Sequence, residues 1–317
     1  MPSIKEDWYC IVNPHAGSGK TMSEWTIAEQ TLTELNIPYK TSLTNYKFHA
    51  TKLAYEAALH GYRKLLAVGG DGSVHEVMNG IMKYCDEMGT DPEMFWLAVI
   101  PIGSGNDWIK STGVPHDTQS VVDLLASNSF DKQDVIKVEA GNTVCYMTNI
   151  GGVGFDSHVC LRVNRQKERG KRSATIYATA LMHTIRWIRA LKGTVKVDGK
   201  VLYDGDFYSI ALGNGRYSGG GMRQVPDAVM NDGLVDVTVI PKLPIRTLLK
   251  EIPKLFNGTL AESKFVFMSR GAVIEVSADR NDVVEMDGEI EGNLPLKVSV
   301  TGSCINVLVS GPLKQIS

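Results

Sequence analysis

The 317-residue sequence predicts a parallel α/β domain followed by a β-rich domain, an antiparallel, β-sandwich-like fold with helices. Three observations carry this. Strand-like and helical patterns alternate in the first third of the chain. Short strand-like runs divided by Gly, Asn and Asp dominate after Phe130. Three of the four early strands run directly into a glycine-rich or small-residue turn.

In order, Trp8–Val12 reads as a strand, Thr21–Leu35 as a helix, Tyr39–Leu43 as a strand and His49–His60 as a helix. Leu65–Val68 is strand-like, Ser73–Tyr84 helical and Leu97–Ile100 strand-like, which completes βαβαβαβ and hence a parallel sheet. Beyond it, strand-like runs cover Val135–Glu139, Val144–Asn149, Thr194–Val197, Phe207–Leu212, Leu234–Ile240, Ala272–Ser277, Leu296–Thr301 and Ile305–Val309. Helical patterns interrupt them at Ala174–Leu191 and Ile245–Phe256. The expected division is 1–130 for the α/β domain and 131–304 for the β-rich one, with 305–317 returning to the first and the active site in the cleft between them.

Lys plus Arg (33) nearly balance Asp plus Glu (35), so there is no global positive field for a nucleic-acid backbone. Five widely spaced cysteines with no C-x-x-C pair fit a reducing cytoplasm better than zinc or disulfides. The N-terminus lacks the layout of a signal peptide. His183, Arg186 and Arg189 break the apolar stretch Ala174–Leu191, so no transmembrane segment is expected.

The strand-ending turns are N-P-H-A-G-S-G-K at 13–20, G-G-D-G-S at 69–73 and P-I-G-S-G-N-D at 101–107. In an open parallel sheet, ligands bind at the carboxyl ends of strands, where helix N-termini aim N–H groups at anions. Three such loops together make a phosphate cradle, although any one alone is as well explained by a tight turn. G-S-G-K-T is not a Walker A motif, because Pro14 stands where glycine is required. Lys20 remains a contact for a nucleotide phosphate. Asp71, between glycines, would be repelled by phosphates unless a divalent cation lay between them, which points to magnesium; a turn-forming Asp is the alternative. Asn106 and Asp107 cap the following helix or face the same metal and phosphates. His75-Glu76 is not a zinc motif, since Asn79 replaces the second histidine, and G-G-V-G at 151–154 lies outside a βαβ unit.

The ordered set of these loops, with N-I-G-G-V-G-F-D at 149–156, P-D-A-V-M-N-D-G-L-V-D-V at 226–237 and M-D-G-E at 286–289, resembles the diacylglycerol kinase catalytic-domain family of lipid kinases, which includes the sphingosine kinases. The resemblance spans nearly the whole chain. It implies an ATP site from Asn13, Pro14, His15, Ala16 and Gly17, with Thr44, the segment Gly70, Asp71, Gly72, Ser73, Val74, His75 and Glu76, and Ser104. Ser73 and Ser104 stand where the family often has Thr, and a hydroxyl remains at both. The resemblance makes Glu289 the general base. From the residues alone, Asp287 and Glu289 are a carboxylate pair on a glycine turn, and a solvated hairpin tip would look the same. The resemblance also implies a structural Mg2+ held by the Asp232 side chain and the carbonyls of Val229 and Leu234; a plain Asp-Gly turn is the alternative.

The expected activity is therefore transfer of phosphate from Mg-ATP to a lipid hydroxyl, most simply diacylglycerol to phosphatidic acid in phospholipid synthesis. Asp71, Asp107 and Glu289 are its catalytic residues. An NAD kinase-like enzyme shares G-G-D-G, and a non-catalytic nucleotide- or lipid-binding protein is the alternative of another class. The basic run Arg162, Arg165, Lys167, Arg169, Lys171 and Arg172 reads as a solvated helix and loop or as a contact with an anionic membrane. Lys171 alternatively reaches the active site. The expected location is cytoplasmic, peripheral at the inner membrane face, and a homodimer would pair through an edge strand.

Overall fold

The computed structural model describes residues 3–103, 105–168, 179–180, 183–185 and 187–313. They form two units, one made of the chain up to Val135 together with the segment from Gly302, the other running from Ile136 to Thr301.

In the first unit, β1 (Lys5–Val12), α1 (Thr21–Glu34), β2 (Tyr39–Leu43), α2 (His49–Leu59), β3 (Tyr62–Gly69), α3 (Asp71–Met88) and β4 (Trp96–Pro101) follow in alternation. The strands pair in parallel in the order β2-β1-β3-β4, and Asn306 and Val307 of the last strand extend the sheet beside β4. Cys10, Ile11 and Val12, Leu65–Val68 and Leu97–Ile100 are all essentially inaccessible, the near-continuous apolar texture of strands covered on both faces. From β1 the chain steps outward to β2, then back across to β3 and on to β4. Right-handed crossovers therefore put α1 on one face and α2 and α3 on the other. The packing follows that rule: α1 lies against α5 (Thr118–Ala126), and α2 against α3. The order reverses between β1 and β3, so their carboxyl ends mark the switch point of the sheet. The short α4 (Asp107–Thr112) is the helix expected to start at Asn106 and Asp107, whereas α5 was not expected from the sequence.

The second unit is antiparallel. It comprises β5 (Phe130–Ala140), which enters from the first unit, β6 (Thr143–Met147), β7 (Ile150–Gly154), α6 (Phe155–Glu168), β8 (Leu191–Val197) and β9 (Lys200–Gly213). The short pair β10 (Tyr217–Ser218) and β11 (Met222–Arg223) precedes β12 (Val235–Pro241). A helix at Ile245–Asn257 leads to β13 (Phe267–Gly271), β14 (Val273–Ala278), β15 (Val283–Met286), β16 (Glu289–Asn293) and β17 (Leu296–Leu308). The main order is β16-β15-β7-β9-β8-β14-β17. The fourteen-residue β9 is shared: Lys200–Phe207 pairs with β8, Ser209–Gly213 with β7, and β12 lies on its other edge. Val195, Phe207, Leu212, Val237, Ile274 and Val298 meet in one core, which gives the sandwich-like arrangement. Most of the helix expected at Ala174–Leu191 lies outside the described residues. No described helix is long and apolar enough to cross a membrane.

Candidate active site

At the switch point the three loops of the first unit are held together by backbone. The Asn13 amide donates to the Val68 carbonyl at 2.9 Å, the Thr44 amide to Val12 at 2.9 Å and the Ile102 amide to Gly69 at 2.8 Å. The loops come so close that side chains are excluded. A Cβ on Gly17 would meet Ile102 Cγ2 at 2.5 Å, and one on Gly103 would meet Asn106 Oδ1 at 2.4 Å and the Gly70 Cα at 3.0 Å. Asn106 takes the left-handed conformation (φ 47°) and its buried Oδ1 has no hydrogen-bond partner among the described residues.

Asp71 is the first residue of α3, with Gly70 as its N-cap. Its Oδ1 accepts the Trp108 amide at 3.0 Å, and the Trp108 indole donates to Gln133 at 2.9 Å, which fastens α4 to β5. Asp107 is 5% exposed and its Oδ1 pairs with Lys110 at 2.5 Å. The Oδ2 atoms of both carboxylates lie near one point. A Cβ built on Gly105 would lie 3.3 Å from Asp71 Oδ2 and 3.5 Å from Asp107 Oδ2. This cradle, lined by hard carboxylate oxygens at a helix start, fits Mg2+ carrying a nucleotide phosphate.

The structure thus brings Asn13 to Gly17, Gly70, Asp71, Asn106 and Asp107 to one set of loops. Thr44 is buried at the end of β2, and Lys20 is exposed at the start of α1. Ser73 sits over Gly69, whose Cβ would meet its hydroxyl at 2.2 Å. Three other expected residues turn inward. Val74 is core, His75 is 2% exposed with Nε2 3.3 Å from Asn79 Nδ2, and Glu76 accepts the Phe48 amide at 3.1 Å and the Ala50 amide at 3.0 Å. Glu76 holds the start of α2, where Phe48 is left-handed (φ 64°). Ser104 lies outside the described residues. Lys110 went unremarked in the sequence; a lysine three residues after Asp107, one helical turn on, was the signal.

In the second unit Asp287 and Gly288, both with positive φ (53° and 87°), form the two-residue loop joining β15 to β16. Asp287 is a fastener: Oδ2 accepts the Thr148 amide at 2.8 Å and its hydroxyl at 2.9 Å, and Oδ1 accepts the Asn149 amide at 2.8 Å. The Gly288 carbonyl accepts Asn164 Nδ2 at 3.0 Å from α6. Glu289, with Oε2 buried, is therefore presented by a turn fixed on both sides. The glycines of β7 serve packing. A Cβ on Gly151 would meet Met286 Sδ at 2.1 Å, and one on Gly152 the Ile210 carbonyl at 2.3 Å. Just beyond, the half-buried Asp156 meets the Ser209 hydroxyl, and loss of solvation raises its pKa.

Asp232 has an organic counter-ion. Its Oδ1 accepts the Leu234 amide at 3.1 Å and its Oδ2 the Arg270 guanidinium at 3.3 Å. The same guanidinium reaches Asp236 at 3.0 Å and the Asp227 carbonyl at 2.8 Å. At the set expected from Val229, Asp232 and Leu234, the carboxylate is thus already faced by a guanidinium. Among the described residues no three His, Cys, Asp or Glu cluster as metal ligands.

The model for the diacylglycerol kinase catalytic domain matches residues 7–138, and that for the YegS C-terminal NAD kinase beta sandwich-like domain matches residues 150–309. A probable lipid kinase YegS-like of Stenotrophomonas maltophilia is 28% identical over 76% of each chain, and one of Xanthomonas campestris pv. campestris 25% identical over 92% of each. A Bacillus anthracis structure described as a diacylglycerol kinase superposes with a TM-score of 0.71 at 22% identity, over 96% of this chain and 97% of that one. Yeast NADH kinase complexed with NADH gives 0.51 at 11% identity, over 98% and 84%. The two structures show a shared fold. With both halves matched in order, the chain belongs to the YegS-like lipid kinase family, built on the diacylglycerol kinase catalytic domain.

Proposed function

We propose that this protein uses Mg-ATP to phosphorylate the free hydroxyl of a diacylglycerol, giving phosphatidic acid for phospholipid synthesis. The observation that carries the reading is the pair of carboxylate oxygens, on Asp71 and Asp107, facing one point at Gly105 among three phosphate-sized loops. Mg2+ held there would neutralise charge on the transferred phosphoryl group. Lys20, the α3 N-terminus and the loop amides bind the nucleotide phosphates, since positioning and charge neutralisation dominate phosphoryl transfer. Glu289 accepts the lipid hydroxyl proton as the oxygen attacks the γ-phosphorus; the bond from that phosphorus to the β–γ bridging oxygen breaks, and ADP leaves. Asp287 keeps Glu289 in position through Thr148 and Asn149. The enzyme acts from the cytoplasm at the membrane face that offers its substrate.

The test is transfer from γ-labelled ATP with Mg2+ to a panel of dispersed lipids and NAD, with Asp71→Ala as blank. Labelled phosphatidic acid absent from the blank supports the proposal. Labelled NADP instead would support the nucleotide-kinase reading that the NADH kinase fold suggests.

A further inference from the structure

The Ile245–Asn257 helix has no buried residue, yet six of its thirteen residues are Ile, Leu or Phe. Ile245, Leu249 and Phe256 are 44%, 51% and 53% exposed. At the helical period these three and Ile252 fall within an arc of about 60°. Leu248 and Leu255 lie round the helix from that stripe and are half-buried. The helix packs on β11 and on the turn Leu260–Glu262, and among the described residues Ile245, Leu249 and Phe256 of its outer stripe are left to solvent, with Ile252 half-buried. Exposed apolar side chains in a continuous row mark a contact surface rather than chance exposure.

The charges on the helix say which surface. Arg246 and Lys250 are exposed beyond the stripe. The only acid, Glu251, is turned away: its side chain is 12% exposed, pairs with Lys254 at 3.0 Å, and its pKa is lowered by a hydrogen bond with Ser263 and by Lys254. The outward face is therefore apolar and purely cationic, the composition of a helix lying in the plane of an anionic bilayer. Resting on the proposed lipid substrate, we infer that the Ile245–Asn257 helix docks the enzyme on anionic lipid, with Ile245, Leu249 and Phe256 inserted and Arg246 and Lys250 at the headgroups. Of the basic run at 162–172, Arg162 and Arg165 lie on α6, while the Lys167 side chain, Arg169, Lys171 and Arg172 lie outside the described residues.

The experiment is co-sedimentation of the full chain with phosphatidylcholine vesicles, with and without phosphatidylglycerol. It is paired with phosphorylation of a short-chain diacylglycerol dissolved as monomers. Leu249→Asp/Phe256→Asp is expected to weaken partitioning at least about tenfold on both vesicle types while leaving phosphorylation of the monomeric lipid unchanged. Arg246→Glu/Lys250→Glu is expected to weaken it about tenfold or more on the anionic vesicles only. Partitioning unchanged by the apolar pair overturns the inference. So does a wild-type dimer that this pair converts to monomer without changing partitioning, which would make the stripe a protein interface. If wild type phosphorylates no lipid, the kinase reading fails on the activity arm, while sedimentation still decides the helix.

Discussion

Gly105 is the residue where the smallest change has the clearest consequence. Its absent side chain leaves the space faced by Asp71 Oδ2 and Asp107 Oδ2; a methyl group there would press on Asp71 Oδ2 at 3.3 Å, so that this carboxylate must give by a few tenths of an ångström, and would touch Asp107 Oδ2 at 3.5 Å, with no backbone in its way. Gly105→Ala should therefore keep the fold but weaken Mg-ATP binding at least about tenfold, with metal-free ATP affected less; calorimetric titration with and without Mg2+ checks this. Asp287 makes a contrasting prediction. Removing a buried carboxylate that satisfies two amides and a hydroxyl, at a left-handed residue, should cost about 2–4 kcal/mol in urea unfolding for Asp287→Ala. That Asp71 and Asp107 stand at loop ends beside helix starts was legible from the glycine-rich turns G-G-D-G-S and P-I-G-S-G-N-D. The division of labour between Asp287 and Glu289 was not. It depends on Thr148 and Asn149, more than 130 residues away in sequence.

Among the elements, the strands and helices of the first unit were readable because each is long and apolar on a fixed period. α5 was passed over, since it is announced only by the Asp117 cap that accepts the Ser120 amide. Residues 151–154 were read for their glycines as a weak fingerprint, whereas these glycines let β7 lie flush between β15 and β9. Close approach also rules the α2–α3 pair. A Cβ on Gly80 would come 2.3 Å from the Thr51 carbonyl and 2.6 Å from Ala54 Cβ, so Gly80→Ala must push the helices apart. It should destabilise the protein by about 1–3 kcal/mol, read as a lowered urea midpoint.

For the molecule as a whole, the order of glycine loops and carboxylates was legible in the sequence, and the family followed from it. The charge balance of the second unit was not, because Arg270 finds Asp232 and Asp236 only through the pairing of β12 with β13. Burial pushes the Asp236 carboxyl up to about 6 despite the Arg270 attraction that lowers it. A carboxyl raised on folding favours the native state below its unfolded pKa, and that contribution disappears as pH rises through the folded value. Between pH 4 and 7 this group should thus remove roughly 2–3 kcal/mol of stability, and Asp236→Asn should flatten that slope in chemical denaturation. Since Arg270 supplies the counter-charge at Asp232, EDTA should leave the melting temperature unchanged.

If Glu289 takes the lipid proton while the glycine loops hold Mg-ATP, Glu289→Gln should lose at least about a hundredfold in diacylglycerol phosphorylation while a parallel titration shows its Mg-ATP affinity preserved; a variant that turns over like wild type would remove Glu289 from the role of base.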